Sequence, residues 1–117
     1  MKQIKYTPDA ADRLRDIKNK VSQEYGKDKA KSVVGKIMKA INGLLQNENK
    51  GASVQNMFGI TTEYRYLYVS PNYVFYRIEE KYIRVINIYH EKEDFMWQLF
   101  RIDTTPQETI DYWKETD

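Results

Sequence analysis

The only histidine of this 117-residue chain, His90, closes a run rich in Tyr, Val, Ile and Phe that extends from Tyr64 to Asp94. An imidazole with an unperturbed pKa of about 6.5 exchanges protons near neutrality, so His90 is the best general acid or base on offer. Arg65, Arg77 and Arg84 supply cations within the same run, and tyrosines at 64, 66, 68, 73, 76 and 89 supply flat aromatic faces. There is no cysteine, which excludes disulfides and thiolate metal sites. One histidine without cysteines leaves no ordinary zinc ligand set, and no cofactor is implied. Taken singly, each residue has a bland structural reading: a strand-end histidine, half-buried sheet tyrosines, arginines in weak surface pairs with Glu79, Glu80 or Glu91. Gathered on one open sheet face, they predict a binding surface more than a catalytic one.

The run divides into three strands, near 64–69, 73–79 and 82–89. Ser70-Pro71-Asn72 and Glu79-Glu80-Lys81 break it where the chain must reverse. Turns this short make the strands antiparallel neighbours. Alternation puts Tyr64, Tyr66 and Tyr68 on one face and Arg65, Leu67 and Val69 on the other; it separates Tyr73, Phe75 and Arg77 from Val74, Tyr76 and Ile78 in the same way. One face should pack on helices and the other form a surface rich in tyrosine and arginine.

Upstream, Ile4–Tyr6 reads as a short strand. Thr7-Pro8-Asp9 then starts a helix with a capping hydroxyl, a proline whose missing N–H does no harm, and an acid near the positive end. Leu14, Ile17, Val21 and Tyr25 recur at helical spacing until Gly26. A second helix presents Val33, Ile37, Ile41, Leu44 and Leu45, ending by Asn47–Gly51, and the short joint predicts an antiparallel hairpin. Residues 52–62 read as a loop. Phe95, Met96, Leu99 and Phe100 should dock a further helical segment, and Thr105-Pro106-Gln107-Glu108 is a capping box opening a last helix anchored by Ile110 and Trp113. The expected architecture is a single α+β domain: a short strand and helix hairpin on a mainly antiparallel sheet of about four strands, with a C-terminal helical extension over 104–117.

The formal charge of +2 conceals an asymmetry, with twelve Lys/Arg against six Asp/Glu in residues 1–50 and seven against eleven thereafter. The basic half suits nucleic acid, an acidic protein, or simply solvent. No apolar run approaches the roughly 20 residues of a bilayer span, and the N-terminus lacks a signal-peptide core. A cytoplasmic protein without membrane contact is expected.

The order of elements resembles the RelE/ParE family, the toxins of type II toxin–antitoxin (plasmid-stabilisation) systems. The likeness covers roughly residues 3–100. It rests on IKYTPDAADRLRDI, on LLQNENKG, and above all on RYLYVSPNYVFYRIEEKYIRVINIYHEKED. The last matches the family's strands at Arg65, Leu67 and Val69, at Val74, Phe75, Tyr76 and Arg77, and at His90. The resemblance implies a cognate antitoxin as partner and two alternative activities, or else an inactive member that only binds its partner. RelE-like members cut messenger RNA on the ribosome; here that implies His90 as acid or base, Arg65 and Arg77 as phosphate clamps, and Tyr66, Tyr73, Tyr89 and Arg84 as substrate contacts. ParE-like members act on DNA gyrase without a hydrolytic centre. Two departures weigh against RNA cleavage: Tyr73 stands where nucleolytic members often carry arginine, and Glu91, Lys92, Glu93 and Asp94 follow the histidine where those members are basic.

Overall fold

The computed structural model describes residues 2–100. Strand β1 (Gln3–Tyr6) leads into helix α1 (Pro8–Tyr25) and helix α2 (Lys27–Asn42), which a single 3₁₀ turn extends over Gly43–Leu45. Strand β2 (Ala52–Ser53), helix α3 (Val54–Phe58), strands β3 (Arg65–Val69), β4 (Asn72–Ile78) and β5 (Tyr82–His90), and helix α4 (Phe95–Phe100) follow. The sheet order is β1-β5-β4-β3-β2, antiparallel except for the β1–β5 pair. The α+β layout matches the expectation, with five strands rather than four. The additional strand, β2, is two residues long inside the expected loop, too short to show a period. The capping box and final helix expected from Thr105 lie outside the described residues.

Local chemistry sets these boundaries. The Thr7 hydroxyl accepts from the Ala10 amide (3.1 Å) and donates to the Ile86 carbonyl (2.6 Å), so one side chain caps α1 and fastens it to β5. Gly26, at φ 94°, alone joins α1 to α2, a left-handed conformation that favours glycine. Ile37, Ile41 and Leu44 then bury against Leu67, Val74, Tyr76, Ile83, Val85 and Ile88 on one side of the sheet. Tyr25, expected on the apolar stripe, is instead 70% exposed at the end of α1.

The other side of the sheet carries a second core. Val54, Tyr66, Phe75 and Tyr89 are buried there, with Phe95, Leu99 and Phe100 of α4 packed over them. The expected docking of α4 residues therefore occurs, and its target is the tyrosine face. Over β3 and β4 that face is a covered aromatic layer rather than an open surface.

Between the layers, the loop after α2 is pinned from inside. The fully buried Tyr76 donates its hydroxyl to the Glu48 carbonyl (2.8 Å) and accepts from the Gly51 amide (3.1 Å). A Cβ at Gly51 would lie 2.5 Å from the Tyr66 carbonyl oxygen and 2.6 Å from the Tyr76 hydroxyl, so only glycine fits. Tyr76→Phe is expected to cost about 1–3 kcal/mol, because two loop groups lose a buried partner. Urea unfolding measures this, and an unchanged midpoint would show that the hydroxyl holds nothing.

Candidate functional site

The decisive geometry lies in β5. Pairing with β4 runs Ile78↔Ile83, Arg77↔Arg84 and Tyr76↔Val85, then jumps to Phe75↔Asn87, Val74↔Ile88, Tyr73↔Tyr89 and Asn72↔His90. Ile86 is the extra residue of a β-bulge. Side chains alternate across a strand, so one inserted residue exchanges the two faces for everything beyond it. Without the bulge, His90 would share the face of Arg84, Ile86 and Ile88. With it, Ile88 joins the helix-side core and Tyr89 the aromatic layer. His90 is carried to the helix side.

There His90 borders a cleft of about 130 Å³ together with Arg13, Asp16, Ile17, Lys20, Asn72 and Glu93. Its Nδ1 accepts from the Lys92 amide (3.1 Å), and its own amide donates to Glu93 Oε1 (2.9 Å). Glu93 also takes both guanidinium nitrogens of Arg13, at 3.2 and 3.0 Å. Those bonds fold the turn after β5 and tie it to α1. Of the two cations bordering the cleft, Arg13 is thus already neutralised by a carboxylate, while Lys20 makes no ion pair among the described residues.

The sequence-predicted arginines are elsewhere and are occupied. Arg65 donates to the carbonyls of Asn49 (3.1 Å) and Gly51 (2.5 Å), which anchors the same loop that Tyr76 holds. Arg77 and Arg84 sit side by side across β4 and β5 on the face opposite His90 and converge on Glu79. Arg77 reaches Glu79 Oε2 through Nε (3.0 Å) and Nη2 (2.7 Å); Arg84 reaches it through Nε (2.7 Å) and touches Oε1 through Nη2 (3.1 Å). Hydrogen bonds from Arg84 and then Arg77 lower the Glu79 carboxyl to a pKa of about 2. Arg84 also lies over the Tyr82 ring at 5.8 Å, which Lys5 shares at 5.4 Å. Arg84 and His90 are six residues apart on one strand, roughly 20 Å at the usual rise.

Of the tyrosines expected to contact substrate, Tyr66 is 9% and Tyr89 4% exposed, so neither ring is free to stack on a base. Burial raises both phenol pKa values, which keeps them protonated and unfit as bases. Tyr73 is half-buried between Tyr68 (5.0 Å), Tyr66 (5.5 Å) and Phe95 (5.0 Å). Sequence reasoning missed Arg13 and Glu93 as the partners around His90, and the only hint of the bulge was a polar Asn87 inside an apolar strand. Asn87 Oδ1 accepts from the Ile88 amide at 2.9 Å. Among the described residues no group of His, Asp and Glu is arranged to hold a metal, and no helix is long and apolar enough to cross a membrane.

The comparisons with known proteins agree with this architecture. The family model described as "ParE toxin of type II toxin-antitoxin system, parDE" matches residues 4–95. A solved structure, "Chromosomal ParDE TA system from P. aeruginosa", is similar over 77% of this chain and 96% of that one, with 26% identity and a TM-score of 0.65. No curated protein matches the chain.

The Glu79 pairing has a testable pH signature. Its folded-state pKa lies below the unfolded value, so its contribution is present above about pH 4.5 and is lost as pH falls through about 2. Glu79→Gln should therefore lower the urea midpoint modestly at pH 7, with the difference from wild type vanishing at about pH 2. Equal midpoints at neutral pH would show that the cluster adds no stability.

Proposed function

This chain belongs to the ParE toxin family of type II toxin–antitoxin systems, and from that premise we propose that it arrests growth by binding a protein target rather than by cutting RNA. The target the family resemblance implies is DNA gyrase, and a cognate antitoxin is the neutralising partner. One observation carries the reading: His90 and the Arg77–Arg84 pair lie roughly 20 Å apart along the sheet and, through the bulge at Ile86, on its opposite faces. Cleavage of RNA by internal attack needs a base, an acid and a cation around one phosphate within hydrogen-bond reach. In this arrangement the imidazole nitrogen Nδ1 serves a turn, Arg65 serves a loop and Arg77 and Arg84 serve Glu79.

The surface available for a target is the rest of the exterior. Met57 and Phe58 of α3 and Tyr68 of β3 are 61%, 38% and 48% exposed at the rim of the aromatic layer. Apolar and aromatic anchors of this kind suit recognition of a protein better than of a phosphate.

Expression of the toxin without antitoxin should arrest growth with intact messenger RNA and an induced DNA-damage response. His90→Ala should remain as toxic as wild type. Loss of arrest in that variant, with its fold retained and transcripts cut in the wild type, would instead establish a ribonuclease. Purified protein should inhibit supercoiling by gyrase, and the variant should inhibit equally.

A further inference from the structure

The basic charge of the first half of the chain is not spread evenly over the hairpin. Helix α1 carries four basic residues, Arg13, Arg15, Lys18 and Lys20, against four acidic ones, Asp9, Asp12, Asp16 and Glu24. Arg13 pairs with Glu93 and Arg15 with Asp12. Helix α2 carries five lysines against Asp28 alone. All five are exposed, and among the described residues none of them makes an ion pair. Ile37, Ile41 and Ala30 define its buried side, which leaves Lys29, Lys31, Ser32, Gly35, Lys36 and Lys39 facing solvent, with Asp28 the one carboxylate on the same stripe, at its N-terminal end.

Gly35 is the second observation. A Cβ there would meet nothing within 4 Å, and its φ is not in the left-handed region. The fold gives no reason for a glycine inside a helix, where it is the poorest residue after proline. Lys31 and Lys39 lie one turn to either side of it, with Ser32 and Lys36 alongside. The result is a patch of uncovered backbone at Gly35 bordered by Lys31, Lys36 and Lys39, where a bulky anionic chain can approach closely.

We infer that this face of α2 binds the phosphate backbone of duplex DNA. Lysine and serine side chains are typical phosphate contacts. From Lys29 to Lys39 the helix spans about 15 Å, a length of duplex bearing several phosphates. The face carries no aromatic residue, so it has nothing on which single-stranded bases would stack. It also lacks the apolar wedge of a membrane-surface helix, with Met38, 40% exposed, as its only large apolar side chain. Lysine is depleted from the cores of protein interfaces, which disfavours a protein partner here. The contact carries no base readout and is sequence-independent. It does not depend on how the toxin acts on its target.

Fluorescence anisotropy of the full chain with a labelled mixed-sequence duplex tests this. Affinity should fall with salt at a log–log slope of about −3 to −4, as expected for four phosphates neutralised. Replacing Lys31, Lys36 and Lys39 together by Gln should weaken binding about tenfold or more and flatten the slope to about −1. Lys36→Gln alone should remove about 0.9 of the slope, with an unchanged thermal melt as the check on folding. Absence of binding at about 50 mM salt, or undiminished binding by the triple variant, would overturn the inference. So would equal binding to polyglutamate or to phosphatidylserine vesicles, which would reveal a general anion-attracting or membrane-binding face instead.

Discussion

A single inserted residue governs how this domain distributes its chemistry. Ile86 interrupts the β4–β5 ladder between Phe75 and Tyr76, and every side chain beyond it changes sides. The exchange puts Ile88 among the helices and Tyr89 under α4, and both end buried. In the other register Ile88 would sit in the aromatic layer and Tyr89 among the helices, each in the place shaped for its partner. The bulge is also where Thr7 takes hold, since its hydroxyl donates to the Ile86 carbonyl. The start of α1, the register of β5 and the location of His90 are thus fixed together.

The two cores divide the labour of the sheet. Aliphatic residues from α2 meet Leu67, Val74, Ile83 and Val85 on one side, and aromatic rings from β3, β4, β5 and α4 interlock on the other. Phe75 sits at the centre of the second layer, with Phe95 at 5.4 Å, Tyr89 at 6.0 Å and Tyr66 at 6.1 Å. Offset and edge-on contacts of this kind add to the burial itself. A sheet filled by helices on one side, and by the aromatic layer over much of the other, leaves its accessible surface to the Arg77–Arg84 end, the rims, edges and helix exteriors.

Much of this was legible in the sequence, for reasons that can be named. Thr7-Pro8 at the head of α1 and Gly26 at its end are chemical signals with one reading each, and both helices fall where those signals put them. The alternation along β3 and β4 assigned faces correctly: Leu67 and Val74 lie with the helices, Tyr66 and Phe75 opposite. What could not be read was non-local. The bulge leaves a single faint mark, the polar Asn87 in an otherwise mostly apolar strand, so period-two reasoning put His90 on the face of Arg84. The covering of the tyrosine face depends on where α4 turns after Asp94, which the spacing of Phe95, Leu99 and Phe100 does not reveal. Arg65 illustrates the same limit, since its partners are the backbone carbonyls of Asn49 and Gly51, groups that carry no sequence signal.

The face of the sheet on which the imidazole lies can be measured directly in solution. In a nuclear Overhauser spectrum of the labelled protein, the ring protons of His90 should connect to side chains of α1 and of Asn72, which border the same cleft. Cross-peaks from that ring to the rings of Tyr73 or Phe95 in the aromatic layer would contradict the account, because they would require an uninterrupted strand that carries His90 to the opposite face.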